Sequence, residues 1–201
     1  MKTLLKIGPK DHGRRITDGE LREADFISGY KYELINGRVY VTYEPDAPED
    51  MNEKWLLFAI RDYSRRHPEV INYVTDKARV YVPGEPRSTI PEPDLAAYQG
   101  FPKRVPGRRI SWRRVSPLLV GEIISLNDPH KDLIRNVQLY LLVPSIKEYW
   151  ILDGREDVDR PTLLVYRRRG TAWQPVIEIG CGEIYSTRLL PGFELLVDPL
   201  Q

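Results

Sequence analysis

The residues best suited to chemistry in this chain are two acids, Asp94 and Glu122. Asp94 closes the stiff approach Ile90-Pro91-Glu92-Pro93 and precedes the apolar run Leu95-Ala96-Ala97-Tyr98, so a restricted backbone holds its carboxylate at a strand entrance. Glu122 interrupts Leu118-Leu119-Val120-Gly121-Glu122-Ile123-Ile124, a nearly unbroken apolar run of the kind that forms a buried central strand. An ionised carboxylate there is costly unless a cation, a strong donor set or a metal offsets its desolvation. Two readings follow. In one, Glu122 pairs with a structural arginine or points out at a sheet edge. In the other, Asp94 and Glu122 lie on neighbouring strands and converge on a hard divalent cation, Mg²⁺ with Mn²⁺ as its substitute. Glu33, in Tyr32-Glu33-Leu34-Ile35, is a third candidate acid, set against the ordinary reading of an exposed hairpin glutamate.

The elements that position these acids are legible in part. Thr17-Asp18-Gly19-Glu20-Leu21 offers a helix start within a charged segment, 1 to 29, whose first 19 residues read as an arm. Two strand-like runs joined by Asn36-Gly37 predict a β-hairpin over 32 to 41. Apolar spacing predicts a helix from about Pro48 to Arg66, stopped by His67-Pro68. Alternation in Lys77-Ala78-Arg79-Val80-Tyr81-Val82 predicts a strand leading through a Pro/Gly loop to Asp94. After Glu122, Asn127-Asp128-Pro129-His130 reads as a turn and cap, and Lys131 to Leu141 as an amphipathic helix. Glu148 to Asp153 is then a strand parallel to that of Glu122, because a helical crossover joins them. Runs at 162–166, 174–179 and 193–197 predict further strands that extend or close the sheet. The fold class is therefore α/β or α+β, a mixed sheet flanked by helices with an N-terminal hairpin and added C-terminal strands, in one domain over 1–201.

Between the two acids, residues 101–114 hold Lys103, Arg104, Arg108, Arg109, Arg113 and Arg114 with Trp112 among them. Such a loop holds phosphates or is simply a solvated charged loop. Charge is balanced overall, 30 Lys and Arg against 29 Asp and Glu, which argues against a generally polybasic protein. One cysteine excludes an intrachain disulfide and a thiol zinc site, and matches a reducing cytoplasm. No run approaches the ~20 apolar residues of a membrane span, and the N-terminus lacks a signal-peptide core. His12, His67 and His130 have no metal-ligand spacing, and the serine-hydrolase and phosphate-loop motifs are absent.

Tyr-Glu-Leu-Ile-Asn-Gly at 32–37, Pro-Glu-Pro-Asp-Leu-Ala at 91–96, Gly-Glu-Ile-Ile-Ser at 121–125, and Asp132 to Tyr140 followed by Lys-Glu-Tyr-Trp-Ile-Leu-Asp at 147–153 resemble, in order and spacing over about residues 20 to 198, the Uma-type restriction endonucleases. That family is a branch of the PD-(D/E)XK nucleases. The resemblance implies metal-dependent phosphodiester hydrolysis, with Asp94 and Glu122 as ligands of Mg²⁺ and as catalytic acids, the backbone carbonyl of Ile123 as a further ligand and Glu33 as an outer participant. It implies a nucleic-acid substrate, DNA first, with Arg108, Arg109, Arg113 and Arg114 as backbone contacts, and a homodimer if both strands of a duplex are cut. The chain departs from the pattern at its lysine. The position two after Glu122 is Ile124, as is common in the family, and the family's alternative, four residues before Tyr140, is Asn136. The usual Ser-Pro after the second acid is Ser125-Leu126. Asn136 or Lys131 then positions water, with Arg135 a further cation nearby. The alternatives are a nuclease-like protein that binds nucleic acid or a protein partner without cutting, and acids serving only as salt-bridge partners.

Overall fold

A computed structural model of the chain describes residues 4–103, 109–124 and 129–201. Arg104 and Arg108 of the basic loop, and the Ser125-Leu126 and Asn127-Asp128 positions, lie outside the described residues.

The chain opens with β1 (Lys6–Ile7), α1 (Asp18–Glu23) and β2 (Asp25–Phe26), and β1 pairs with β2 in parallel. α1 starts where a capping box allows it. The Thr17 hydroxyl accepts from Glu20 N at 3.1 Å, and the Glu20 carboxylate accepts from Thr17 N at 2.7 Å. The segment read as an arm packs against the next hairpin, with Ile7, Ile16 and Leu21 buried beside Leu34 and Val39.

That hairpin is β3 (Tyr30–Ile35) and β4 (Arg38–Tyr43). Its turn residues Asn36 and Gly37 have φ of 49° and 70°, the left-handed pair that a two-residue hairpin needs. α2 (Ala47–Arg66) follows, with Pro48 in its first turn and Leu56, Leu57, Ile60 and Tyr63 buried on one face.

The remaining strands are β5 (Tyr73–Thr75), β6 (Leu95–Tyr98), β7 (Leu119–Ile124), β8 (Glu148–Asp153), β9 (Thr162–Arg169), β10 (Ala172–Trp173), β11 (Ile177–Ile179), β12 (Ile184–Ser186) and β13 (Glu194–Leu196). Seven of them form one sheet in the order β10-β9-β8-β7-β6-β5, with β11 also on β9. β7 and β8 are parallel, and the other pairings in this sheet are antiparallel. β12 and β13 make a separate antiparallel pair whose Tyr185 and Leu195 join the core under α2. The other face of the sheet is covered by α3 (Asn136–Leu141), through Leu139 and Tyr140, and by Ala78, Val80 and Val82.

Three expectations are corrected. Residues 77–82 form no strand: Val80 N and Val82 N donate to Pro91 O and Thr89 O, but Pro91 has no N–H to return a bond, so no ladder grows. The strand beside β6 is instead β5. The helix after Glu122 is also not α throughout, because Lys131–Arg135 forms a π-turn in which Asn136 N donates to Lys131 O before α3 begins. The predicted run 174–179 narrows to Ile177–Ile179, since Gln174 and Pro175 stand before the paired residues.

Candidate active site

Asp94 sits immediately before β6, and the Leu95↔Gly121 register brings it beside Glu122 and Ile123 on β7. Asp94 Oδ2 accepts from Ile123 N at 2.8 Å, and Lys31 Nζ, from β3, donates to Asp94 Oδ1. Burial alone pushes this carboxyl up, but Lys31 and Lys131 outweigh it and hold Asp94 below the usual range. Lys31 also lies 3.8 Å from Glu53 of α2. Asp94 and Glu53 keep its ammonium charged in spite of burial.

Glu122 is fully buried, and each of its oxygens is engaged. Oε1 accepts from Tyr140 OH at 2.7 Å and from Asn136 Nδ2 at 2.9 Å, while Oε2 is 3.3 Å from Lys131 Nζ. Lys131 also pairs with Asp132 at 2.9 Å. Asn136 is fixed as a neutral bridge: its amide donates to Glu122 and to Asp132 Oδ1 at 3.0 Å, and its carbonyl accepts from Arg135 Nε at 3.1 Å. A π-turn ahead of α3 lets Lys131 and Asn136, five residues apart, address one carboxylate together, with Asp132 held by both of them.

Four acids, Asp94, Glu122, Asp132 and Glu33, thus meet three cations, Lys31, Lys131 and Arg135. Two of these carboxyls, Glu122 and Asp132, are pushed toward the protonated form. Burial, with Asp132 and Asp94 adding to it against Lys131, pushes the Glu122 carboxyl well above its ordinary value. Asp132 is pushed up to about 6, by burial first and then by Asp94 and Glu33, with Lys131 opposing.

Asp94, Ile123, Lys131, Asp132, Lys31 and Glu53 line a cavity of about 360 Å³ whose outer wall is the end of β4 and the start of α2. Glu33 is not among its lining residues. Its carboxylate is held by Arg135 Nη2 at 2.5 Å and by Glu92 N at 3.3 Å. Of the basic loop, Arg113 pairs with Asp18 at 3.4 Å and lies over the Tyr81 ring, whereas Arg109 and Arg114 are exposed. His130 makes no side-chain cap bond.

Sequence reasoning missed Lys31, Glu53, Asp132 and Tyr140 as members of this cluster. Periodicity carried a signal for three of them. Glu53 falls on the apolar face of α2 with Leu56, Leu57 and Ile60, and Asp132 and Tyr140 flank Asn136 at four-residue spacing. Lys31 had no such signal, since its neighbour Asp94 is 63 residues away.

A metal fits this donor set by its chemistry. The oxygens are hard, the cluster is over-acidic, and an ammonium already rests on Asp94 Oδ1, so the position attracts a cation. Among the described residues, no group of three or more His, Cys, Asp and Glu side chains is placed to hold a metal ion, and Asp94 and Ile123 line the cavity while Glu122 does not.

A central mixed sheet flanked by few helices, with one buried acid at the entrance to a strand and another within the adjacent strand, defines a nuclease-like α+β fold. The solved structure of a putative nuclease belonging to DUF820 from Anabaena variabilis is similar with a TM-score of 0.68, at 16% identity, over 90% of this chain and 95% of that one. Residues 20–198 match the Uma2 family model, described as "Putative restriction endonuclease", and the chain belongs to that family. No curated protein matches it in sequence. No helix among the described residues is long and apolar enough to cross a membrane.

Proposed function

We propose that the chain is a divalent-metal-dependent nuclease in which Lys131 supplies the positive charge that residue 136 lacks. The observation that carries this is Lys131 Nζ, 3.3 Å from Glu122 Oε2 and lining the same cavity as Asp94. Asp94, Glu122 and the Ile123 carbonyl would hold Mg²⁺, or Mn²⁺ in its place. The ion supplies Lewis acidity and lowers the pKa of a water. The chain's residues do the rest. Asp94 is kept ionised by two lysines, Tyr140 and Asn136 fix the orientation of Glu122, and the Lys131 ammonium faces the charge that develops on a phosphate in the cavity. With a cation held at Asp94, the Lys31 ammonium would be free to meet the phosphate. The substrate is nucleic acid, DNA in the first instance, with Arg109 and Arg114 as exposed backbone contacts; both the DNA preference and a homodimer belong to this proposal.

Cleavage of plasmid and of single-stranded DNA with Mg²⁺ or Mn²⁺ tests it. Asp94→Ala abolishes cutting, and Lys131→Ala slows it by about a hundredfold. Asn136→Lys in the Lys131→Ala background restores part of the rate. If Lys131→Ala cuts as fast as the wild type, Lys131 is not the required cation. A second reading, binding without cutting, draws on one observation: Lys31 and Lys131 neutralise both principal acids. It predicts no cutting by the wild type and cutting only after Asn136→Lys.

A further inference from the structure

The β3–β4 hairpin turns one face to the N-terminal segment, through Tyr32, Leu34, Val39 and Val41, and the other to the site. Strand alternation places Lys31, Glu33 and Ile35 from β3, and Arg38, Tyr40 and Thr42 from β4, on that second face. The face begins at the cavity, where Lys31 reaches Asp94 and Thr42 lines the wall. It continues through Tyr40, under the Arg135 guanidinium, and ends with Arg38 beside the turn. Its acid, Glu33, is buried and answered by Arg135.

A second arginine joins Arg38 at the turn end. Arg15 lies directly opposite it in an antiparallel bridge, flanked by Val39 N donating to Arg14 O at 2.9 Å and Ile16 N to Gly37 O at 3.1 Å. That pattern makes Arg15 and Arg38 a non-hydrogen-bonded pair, with both side chains close together on the face that leads to the cavity. Both are exposed, and among the described residues neither pairs with an acid. The acids nearest Arg15 in sequence are spent elsewhere, Asp11 on Arg14 and Glu20 on the cap of α1. Arg38 Nη1 donates to Gly13 O at 2.7 Å, which leaves most of its guanidinium donors free. Like charges set directly opposite one another destabilise a strand pair, and an anion held between them reverses the sign. At the other end of the face, past Thr42, the cavity wall carries Glu44, Asp46 and Glu49, so a polyanion leaving the cavity is drawn toward the turn. The span from Thr42 to Arg38 is about 13 Å of strand. One strand of a duplex advances about four nucleotides over that length.

We propose that Arg15 and Arg38 clamp a backbone phosphate of the bound nucleic acid about four nucleotides from the phosphate at Asp94, so that the substrate is a strand long enough to reach both. This rests on the nuclease reading for the phosphate at Asp94, but its binding test does not depend on cutting. Anisotropy of a short labelled DNA duplex, with Ca²⁺ present and KCl varied from about 50 to 200 mM, compares the wild type with the double variant Arg15→Gln, Arg38→Gln. The control is Arg169→Gln, Arg188→Gln, which removes the same charge from exposed positions at the far end of the sheet. Expected for the Arg15, Arg38 variant are binding about tenfold weaker and a slope of log affinity against log salt shallower by about 1, with the control at wild-type affinity. Its melting temperature does not fall, because a repulsion has been removed. Arg15→Lys, Arg38→Lys keeps most of the affinity. Wild-type affinity and slope in the Arg15, Arg38 variant, an equal loss in the control, a lower melting temperature of the variant, or no binding by the wild type overturns the proposal. Metal-dependent cutting by the wild type together with unchanged binding by the Arg15, Arg38 variant sinks the clamp and leaves the nuclease reading standing. Binding that depends on the two arginines, with no cutting of any substrate, does the reverse.

Discussion

Asn136 shows how one neutral side chain alters a cluster of charges. A lysine at this buried position would add a fourth cation to the three that face four acids; the amide instead donates to Glu122 and Asp132 and leaves Lys131 as the cation that the two share. The consequence is a cluster that holds protons. Asp132, pushed up to about 6 from an ordinary 3.8, keeps a proton that the unfolded chain has already released. Between those values the folded state binds more protons, so stability falls as pH rises through the window, by at most about 3 kcal/mol for this group. Glu122, also raised, acts with the same sign. Glu33 and Asp94, held low, act with the opposite sign, but their stability is lost only as pH falls below their ordinary values. Urea unfolding between pH about 5 and 7 isolates the first effect. The wild type loses stability across that range, and Asp132→Asn, which keeps the acceptor oxygen for Lys131 and Asn136, has a shallower slope. An unchanged slope in Asp132→Asn would mean that the surplus proton resides elsewhere.

At the scale of elements, the site depends on a clasp between the β3–β4 hairpin and the π-turn that precedes α3. Arg135 reaches Glu33 at 2.5 Å and lies over the Tyr40 ring, its Cζ 5.4 Å from the centroid. Glu33 is buried, so removing its partner strands a carboxylate away from water. Arg135→Met therefore costs about 3 to 5 kcal/mol, and the double variant Glu33→Gln, Arg135→Met recovers most of it, as read by urea midpoints. The hairpin half of this clasp was legible in the sequence, because Asn36-Gly37 between alternating strands has one common use. So were α2 and the parallel pair β7 and β8, whose residue types and spacing match their burial. The π-turn was not legible. Lys131 to Leu141 has apolar spacing suited to a continuous α-helix, and the wider turn brings Lys131 and Asn136 together on Glu122, a carboxylate on a different element. Residues 77–82 misled for a related reason. Their alternation is real and buries Ala78, Val80 and Val82, but the extended segment they face contains Pro91 and cannot complete a ladder. Of the site, the acids that interrupt apolar runs were readable, whereas the cations that answer them come from elements distant in sequence.

At the scale of the molecule, the cavity exists only when the hairpin, α2, β6, β7 and the π-turn are assembled, so whatever binds it is linked to folding of the whole chain. Lys31 makes that linkage testable. Its ammonium rests on Asp94 and neighbours Glu53, where it acts as an internal counterion for the buried acid. Removing it should destabilise the protein without metal by about 2 to 4 kcal/mol, because Asp94 then keeps only the Ile123 N–H and the more distant Lys131 to offset its burial. The same removal relieves the competition for Asp94 Oδ1. A divalent cation binds the folded state and not the unfolded one, and raises stability by RT ln(1 + [L]/Kd). Lys31→Met should therefore melt lower than the wild type in EDTA, gain more from millimolar Mg²⁺ or Ca²⁺ than the wild type does, and lose that gain when Asp94→Asn is added. Thermal unfolding over a cation titration reads all three without any substrate. An equal response to cation in wild type and Lys31→Met would show that the ammonium does not stand in the metal's place, and no response in either would remove Asp94 from the ligand set.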